Sequence, residues 1–330
     1  MKKLVDSYNR HINYLRISIT DRCNLRCIYC MPLEGVSHLA HEDILSYEEI
    51  LRIARIAVKE GIKKIRVTGG EPLVRKGVVN LINWLSKIEG IDDLSMTTNG
   101  ILLSEFARPL YEAGLKRVNV SMDSLRPDIF KRITRGGELP RVWKGIEKAS
   151  EVGMNPIKIN VVAVKGFNED EVLDFARLTL EHDYQIRFIE FMPVGYENGW
   201  SQDKYLSCLD IKNIIEKRYR LMQVEKNGNT NGPAELYQLD GAEGRIGFIN
   251  AISNHFCATC NRLRMTADGK LRPCLFSDEE VDIRKALRKG DSDKELKKLL
   301  HLAIFNKPKG HTVTEPLSRK CARDMVKIGG

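Results

Sequence analysis

Tyr14-Leu15-Arg16-Ile17-Ser18-Ile19-Thr20-Asp21-Arg22-Cys23-Asn24-Leu25-Arg26-Cys27-Ile28-Tyr29-Cys30 joins two signals in one stretch. Residues 14–20 alternate between apolar and polar side chains, the two-residue period of a strand. Three cysteines follow at the spacing C-x3-C-x2-C. Three close thiolates can hold a soft metal centre. Structural zinc sites and ordinary iron–sulfur sites have four protein ligands. Three leave one metal position open to a small molecule.

The strand, loop and helix order recurs outward from that stretch. Ser46-Tyr47-Glu48-Glu49 has the form of a capping box, in which Ser46 and Glu49 satisfy orphan amides reciprocally. Ile50, Ile53, Ala54 and Ala57 then follow at helical spacing, with Gly61 as C-cap. The spacing predicts strands over 64–68, 94–97, 117–122, 156–164 and 185–191. It predicts helices over 78–88, ending near Gly114, over 141–152 and over 169–182. About six βα units in series imply a parallel sheet. A doubly wound sheet would satisfy that order. A partly closed barrel is favoured because functional residue types sit at the C-terminal ends of many strands. Examples are Gly69-Gly70-Glu71-Pro72, Thr98-Asn99-Gly100, Asp123-Ser124 and Met192-Pro193. Beyond Trp200 the pattern weakens to a helix over 211–219, short strands near Tyr237 and over 246–249, and a Lys-rich helical region from Ile283. Asn227-Gly228-Asn229-Thr230-Asn231-Gly232-Pro233 is a turn-rich boundary. The expected division is a core over 1–232 and a C-terminal region over 233–330.

Hydrophobic residues make up 42% of the 330, which supports a packed core and excludes a disordered chain. The opening Met1-Lys2-Lys3-Leu4-Val5-Asp6 lacks the apolar stretch of a secretory signal. No apolar run approaches the ~18 residues of a membrane span. A soluble, cytoplasmic protein is expected. In that setting eight cysteines are metal ligands more often than disulfides. Six fall into two groups, Cys23, Cys27, Cys30 and Cys257, Cys260, Cys274, while Cys208 and Cys321 read as packed thiols. A net charge of +9 suits either a solvated basic surface with non-specific nucleic-acid affinity or a site for an anionic small substrate.

Side chains on a strand alternate faces, and that parity addresses the charge. Leu15, Ile17 and Ile19 share one face and Arg16 and Ser18 the other. By the same rule Arg66 opposes Ile65 and Val67, Lys158 and Asn160 oppose Ile157 and Ile159, and Arg187 opposes Ile186 and Phe188. Four strands thus each turn a cation toward the interior, where a packed barrel would carry branched apolar residues. A ligand with several negative charges, such as a polyphosphate, explains four such cations better than a purely structural network does.

The Cys23, Cys27, Cys30 spacing with Tyr29 before the last cysteine resembles the radical S-adenosylmethionine (SAM) signature. Gly69-Gly70-Glu71-Pro72 resembles that superfamily's SAM-binding turn. The second set, Cys257-x2-Cys260-x13-Cys274, with Asn261-Arg262-Leu263-Arg264 after its second cysteine and Gly329-Gly330 at the end, is narrower. Together these features resemble the GTP 3′,8-cyclases of molybdenum cofactor biosynthesis over essentially the whole chain. The resemblance implies an α/β fold, a partial (β/α)6 TIM-like barrel with a C-terminal region carrying a second Fe–S cluster. It implies two [4Fe–4S] clusters, on Cys23, Cys27 and Cys30 and on Cys257, Cys260 and Cys274, each with an open iron. SAM at the first would yield a 5′-deoxyadenosyl radical that takes the 3′ hydrogen of GTP, and C3′ would close onto guanine C8. The second open iron would hold the guanine. The implied SAM contacts are Tyr29, Gly70, Ser121 and Met192. The implied GTP contacts are Arg16, Arg66, Thr97, Lys158, Arg262, Leu263 and Arg264, with Arg187 a weaker member. Glu71 is expected to meet either the SAM amino group or a backbone amide, and His255 to lie beside the second cluster rather than on it. Asp123 and Glu190 have no required acid or base role. The implied partners are a cellular electron donor, a downstream cyclic pyranopterin monophosphate synthase and a second copy in a homodimer, with no membrane and no specific nucleic acid. The rivals are a peptide-modifying radical SAM maturase, which usually carries more auxiliary cysteines, and a zinc-bound nucleic-acid-binding protein.

Overall fold

The structure, a computed structural model, describes residues 4–195, 199–224, 232–311 and 321–329. The first half alternates strands and helices as the spacing predicts. It runs β1 (Tyr14–Ser18), α1 (Tyr47–Glu60), β2 (Lys64–Thr68), α2 (Val78–Ser86), β3 (Asp93–Thr98), α3 (Leu103–Glu112) and β4 (Arg117–Ser121). It continues with α4 (Pro127–Thr134), α5 (Leu139–Glu151), β5 (Ile157–Ala163), α6 (Val172–Glu181) and β6 (Tyr184–Glu190). The second half holds α7 (Cys208–Glu216), β7 (Leu221–Gln223), β8 (Glu235–Leu239), β9 (Arg245–Ile249), β10 (Arg262–Met265), β11 (Lys270–Arg272) and β12 (Val281–Asp282). It closes with α8 (Ile283–Lys289), α9 (Asp293–Phe305) and α10 (Met325–Ile328).

All strands join one sheet in the order β12-β11-β10-β1-β2-β3-β4-β5-β6-β9-β8-β7. The eight from β10 to β9 run parallel, and an antiparallel hairpin extends each edge. Helices cover the face that carries Leu15, Ile17, Ile65 and Val67, all fully buried. On α1 the capping box is formed, with the Glu49 amide donating to Ser46 Oγ and the Ser46 amide to Glu49 Oε2 at 2.7 Å. The helix ends at Gly61, whose φ of 120° a side chain would resist. Ile50, Ile53, Ala54 and Ala57 form its buried face against the sheet.

The structure departs from the spacing at several points. The first strand stops at Ser18 because the chain then turns against the glycine loop, with the Gly70 amide on the Thr20 carbonyl and the Glu71 amide on the Arg22 carbonyl. The helix expected over 169–182 divides into one 3-10 turn, Glu169–Glu171, and α6. Helix α4, opened by Pro127 in its first turn, was not anticipated, and neither were β7, β10, β11 and β12. The C-terminal stretch does not build a sheet of its own. Its β10 pairs with β1 and its β9 with β6, so it widens the first sheet at both edges. The turn-rich boundary falls largely on 225–231, outside the described residues. A small second core of Val194, Cys321 and Ile328, flanked by Met192, Leu275, Phe276 and Met325, sits apart from the main one. Among the described residues no helix is long and apolar enough to cross a membrane.

Candidate active site

Strand parity places Arg16, Arg66, Lys158 and Arg187 in one cavity of about 280 Å³ on the sheet face away from the helices. That volume lies near the range of small-molecule pockets, ~300–1,000 Å³, so the interior is a site and not a packed barrel core. The register is informative. Arg264, Arg16, Arg66 and Ser95 are direct neighbours across β10, β1, β2 and β3, and Arg117 follows on β4. A second row runs Thr97, Asn119, Lys158 and Gln185 across β3 to β6. Adjacent strands are about 4.8 Å apart, so three guanidinium side chains stand shoulder to shoulder.

That crowding shows in the ionisation of the cations. Burial, then Arg264, holds Arg16 well below the usual arginine range. Burial and Arg262 bring Arg264 down to about 10. Burial, then Arg66 and Arg117, bring Arg187 down to about 9. Lys158 falls to about 5 through burial, Arg187, Arg117 and Arg66. Arg117 is anchored on Asp93. Thr97 Oγ1 and Asn160 Oδ1 are buried in the cavity lining without a protein hydrogen-bond partner, which fits a polar ligand beside them.

The first cysteine triad occupies the loop that leaves β1. Its backbone is pinned to the end of α4, with the Arg26 amide on Thr134 O and the Ile28 amide on Ile133 O. Burial, then Glu71, pushes the Cys23 thiol up to about 11. Burial and the neighbouring Cys30 and Asp123 raise Cys27. All three cysteines are free thiols lining the cavity. Three sulfur donors whose ionisation burial opposes are the donor set that a metal cluster's positive charge would stabilise. Tyr29 Oη donates to Asp123 Oδ2 at 2.6 Å, and the Val162 amide holds Asp123 Oδ1 at 2.8 Å. Gly70 has no alternative, because a Cβ there would fall 2.3 Å from the Arg22 carbonyl oxygen. Ser121 and Met192 line the same end of the cavity from β4 and from the turn after β6. Glu71 is occupied internally. Its oxygens accept from the Leu73 amide at 3.0 Å, Thr98 Oγ1 at 2.8 Å and the Asn99 amide at 2.7 Å.

The second triad lines the same cavity, and the register sets it at the opposite strand ends: Cys260 lies two residues before Arg262, the partner of Tyr14 at the start of β1, whereas the first triad follows the end of β1. Arg10 donates to the carbonyls of Cys257, Lys309 and Pro308 at 2.7, 2.9 and 2.6 Å. Lys307 donates to the carbonyls of Arg262 and Pro273 at 2.9 and 2.6 Å. Burial alone would raise Cys260, but Arg262 and Lys307 overcome it and bring the thiol down to about 6. Ring nitrogens of His255 and His311 and Cys257 Sγ lie within 4.8 Å of one another. His311 Nε2 meets the Ala251 carbonyl at 2.8 Å, which places its proton there and leaves Nδ1 a buried, unpartnered lone pair.

Of the residues expected from the sequence, one departs. Leu263 faces the main hydrophobic core at 1% exposure and does not line the cavity, because parity turns it away from Arg262 and Arg264. Arg264 Nη1 donates to the Gly329 carbonyl at 3.1 Å; Gly330 lies outside the described residues. Lys64, Arg117, Lys307 and His311 were missed. Lys64 shares the parity of Arg66 and was readable; Lys307 and His311 arrive from the segment after α9, with no local signal.

Residues 17–179 match the family model of the radical SAM superfamily, and residues 184–313 match that of Molybdenum Cofactor Synthesis C. The chain is 54% identical over 328 residues to the GTP 3′,8-cyclase of Thermodesulfovibrio yellowstonii, covering 98% of this chain and 99% of that one. It is 49% identical over 325 residues to the GTP 3′,8-cyclase of Alkaliphilus metalliredigens, covering 98% and 99%. Streptococcus suis SuiB bound to S-adenosylmethionine shares the fold at a TM-score of 0.62 and 15% identity, over 84% of this chain and 65% of that one. The chain belongs to the GTP 3′,8-cyclase family of radical SAM enzymes.

Proposed function

We propose that the chain converts GTP to (8S)-3′,8-cyclo-7,8-dihydroguanosine 5′-triphosphate, an early step of molybdenum cofactor biosynthesis. The observation that carries this is the row Arg264, Arg16 and Arg66 on three adjacent strands. Like charges on directly opposed positions destabilise a sheet. A triphosphate turns that repulsion into charge-assisted hydrogen bonding.

Cys23, Cys27 and Cys30 would hold a [4Fe–4S] cluster with SAM on its open iron, which when bound supplies reductive SAM cleavage and hydrogen-atom abstraction. The rest is the protein's work. Arg16, Arg66 and Lys158 bind the phosphates, and Thr97 Oγ1 offers the ligand an unused hydroxyl. Arg264 joins Arg16 and Arg66 on the phosphates, and Arg262 lies beside Cys257, Cys260 and Cys274, which would carry a second [4Fe–4S] cluster. Asp123 fixes the Tyr29 ring through its hydroxyl, and the Gly70 backbone, Ser121 and Met192 shape the SAM end. The same proposal takes in a cytoplasmic homodimer, a cellular electron donor, and cyclic pyranopterin monophosphate synthase as the consumer of the product.

The test is anaerobic incubation of reduced protein with SAM and GTP. Equal amounts of 5′-deoxyadenosine and cyclised nucleotide are expected, from protein carrying roughly eight irons per chain, the sum of two four-iron clusters. SAM cleavage stimulated by a peptide and indifferent to GTP would hand the site to a peptide maturase.

A further inference from the structure

Arg272 heads the large side chains that have no solvent exposure, yet it does not line the cavity. A buried guanidinium is costly unless its donors are met. Nη1 pairs with Glu280 Oε1, and Nη2 reaches the Leu275 carbonyl at 3.3 Å and Cys321 Sγ at 3.0 Å. Burial holds Cys321 as a neutral thiol, which points its own hydrogen toward Asp278 Oδ1 at 3.4 Å. Cys321 also forms a parallel bridge with Val194, two residues after Met192. Arg323 Nη2 then meets Asp268 Oδ2 at 2.9 Å and Glu280 Oε2 at 2.8 Å. Glu280 thereby joins the two arginines.

From this clasp the chain runs through α10, whose Val326 and Ile328 are buried, to Gly329. Gly329 has φ 82°, and a Cβ there would lie 2.8 Å from Ser18 Cβ and 3.0 Å from Thr68 Cγ2. Only glycine lets the backbone enter between β1 and β2 at that depth. Its carbonyl accepts from Arg264, and Arg264 is the backbone partner of Arg272 on the neighbouring strand. The segment therefore leaves the sheet edge at Arg272 and returns to the same rung at Arg264.

We propose that Arg272, Cys321 and Arg323 are positioning residues for the cyclisation: they hold residues 321–329 in place so that the Gly329 carbonyl orients the Arg264 guanidinium for the nucleotide. This rests on the functional reading above for what Arg264 binds. A guanidinium has five donors. Giving one to a fixed carbonyl restricts its swing and leaves the others for the ligand. The clasp also reaches both cofactor ends. Met192 borders Val194 in the small core, and Leu275 and Phe276 follow Cys274.

The test uses cluster-loaded protein with Cys321→Val, which removes the acceptor for Arg272, Cys321→Ser, which keeps one, and Arg323→Ala. Amide hydrogen exchange over 322–329 reports the anchoring, GTP binding reports the orientation, and iron content reports folding. Cys321→Val and Arg323→Ala are expected to exchange about tenfold faster over 322–329 and to bind GTP about tenfold more weakly, with Cys321→Ser within about threefold of the parent. Unchanged exchange in both Cys321→Val and Arg323→Ala refutes the anchor. Faster exchange with unchanged GTP affinity refutes the positioning role. Should Cys321→Val fail to take up iron, Arg323→Ala decides. A parent protein that binds no GTP would overturn the functional reading, and with it the positioning role, while the exchange data would still judge the clasp.

Discussion

The two cysteine triads offer the same three sulfurs in opposite electrostatic surroundings. Around the first, the neighbours are carboxyl groups: Glu71, itself pushed up to about 7 by burial, beside Cys23, Asp123, pushed up to about 6, beside Cys27, and Asp324 and Asp123 beside Cys30. Around the second, they are cationic: Arg262 and Lys307 bring Cys260 down to about 6 against the effect of burial. SAM presents a sulfonium and an ammonium; a nucleoside triphosphate presents three phosphates. The donor set is common to both triads, so the charge around the sulfurs is what distinguishes the end suited to a cationic ligand from the end suited to a polyanion. The supports differ in the same way. The first loop is held by backbone bonds to α4 and the second by the long cations Arg10 and Lys307.

Removing one sulfur from each end tests the division most severely. Cys27→Ala is expected to abolish 5′-deoxyadenosine formation, a loss of at least ~10³-fold. Cys257→Ala is expected to keep SAM cleavage within about tenfold while losing the cyclised nucleotide. Chromatography of both products measures this, and parallel loss of both products in both variants would break the comparison.

Next in size are the buried carboxylates that brace each end. Glu71 accepts three hydrogen bonds around the glycine turn, and Glu190 accepts from the Ile252 and Ser253 amides, Ser253 Oγ and the Cys208 amide on the approach to the second triad. Each alanine substitution should cost about 3 kcal/mol through orphaned donors. Urea unfolding reads the cost, and iron content should drop at the neighbouring triad only. Loss of both clusters in either variant would show that the ends are not separately supported.

The smallest effect is a pH slope confined to the cationic half. Lys158 is lowered to about 5 by burial and by Arg187, Arg117 and Arg66, so at pH 7 the side chain is neutral before a polyanion binds. Bound phosphate favours the ammonium, so GTP binding takes up a proton. Affinity should therefore fall as pH rises above ~5, by up to about tenfold per unit for one proton, until the bound-state pKa is passed. Calorimetry in two buffers of different ionisation enthalpy should show the uptake, and Lys158→Met should abolish it. Buffer-independent heats for the parent protein would sink the assignment.

Local rules made part of this legible. Parity at Arg16, Arg66, Lys158 and Arg187 needs only a straight strand, and β2 runs over 64–68 as the alternation indicates. The C-x3-C-x2-C spacing and the Ser46 box are equally local. Tertiary pairing was not legible. Strand β10 has four residues, too few for a period to show, and it finds its partner β1 across most of the chain. Without that pairing, Leu263 could not be told from the arginines on either side of it. Lys307 and His311 reach the second triad from a helix terminus whose own pattern concerns only its packing. The sheet's width was underestimated for the same reason: its outer strands are short and come last.

The docking of β10 on β1 sets an order of events during synthesis. The Arg264, Arg16 and Arg66 row joins one of the last strands to two of the first. With domains folding as the chain emerges at ~5–20 residues per second, β1 and the first cysteine loop wait on the order of ten seconds or more for their neighbour. During that interval the first triad has no opposite wall. The Arg264, Arg16 and Arg66 row, by contrast, can form only after translation has passed residue 265.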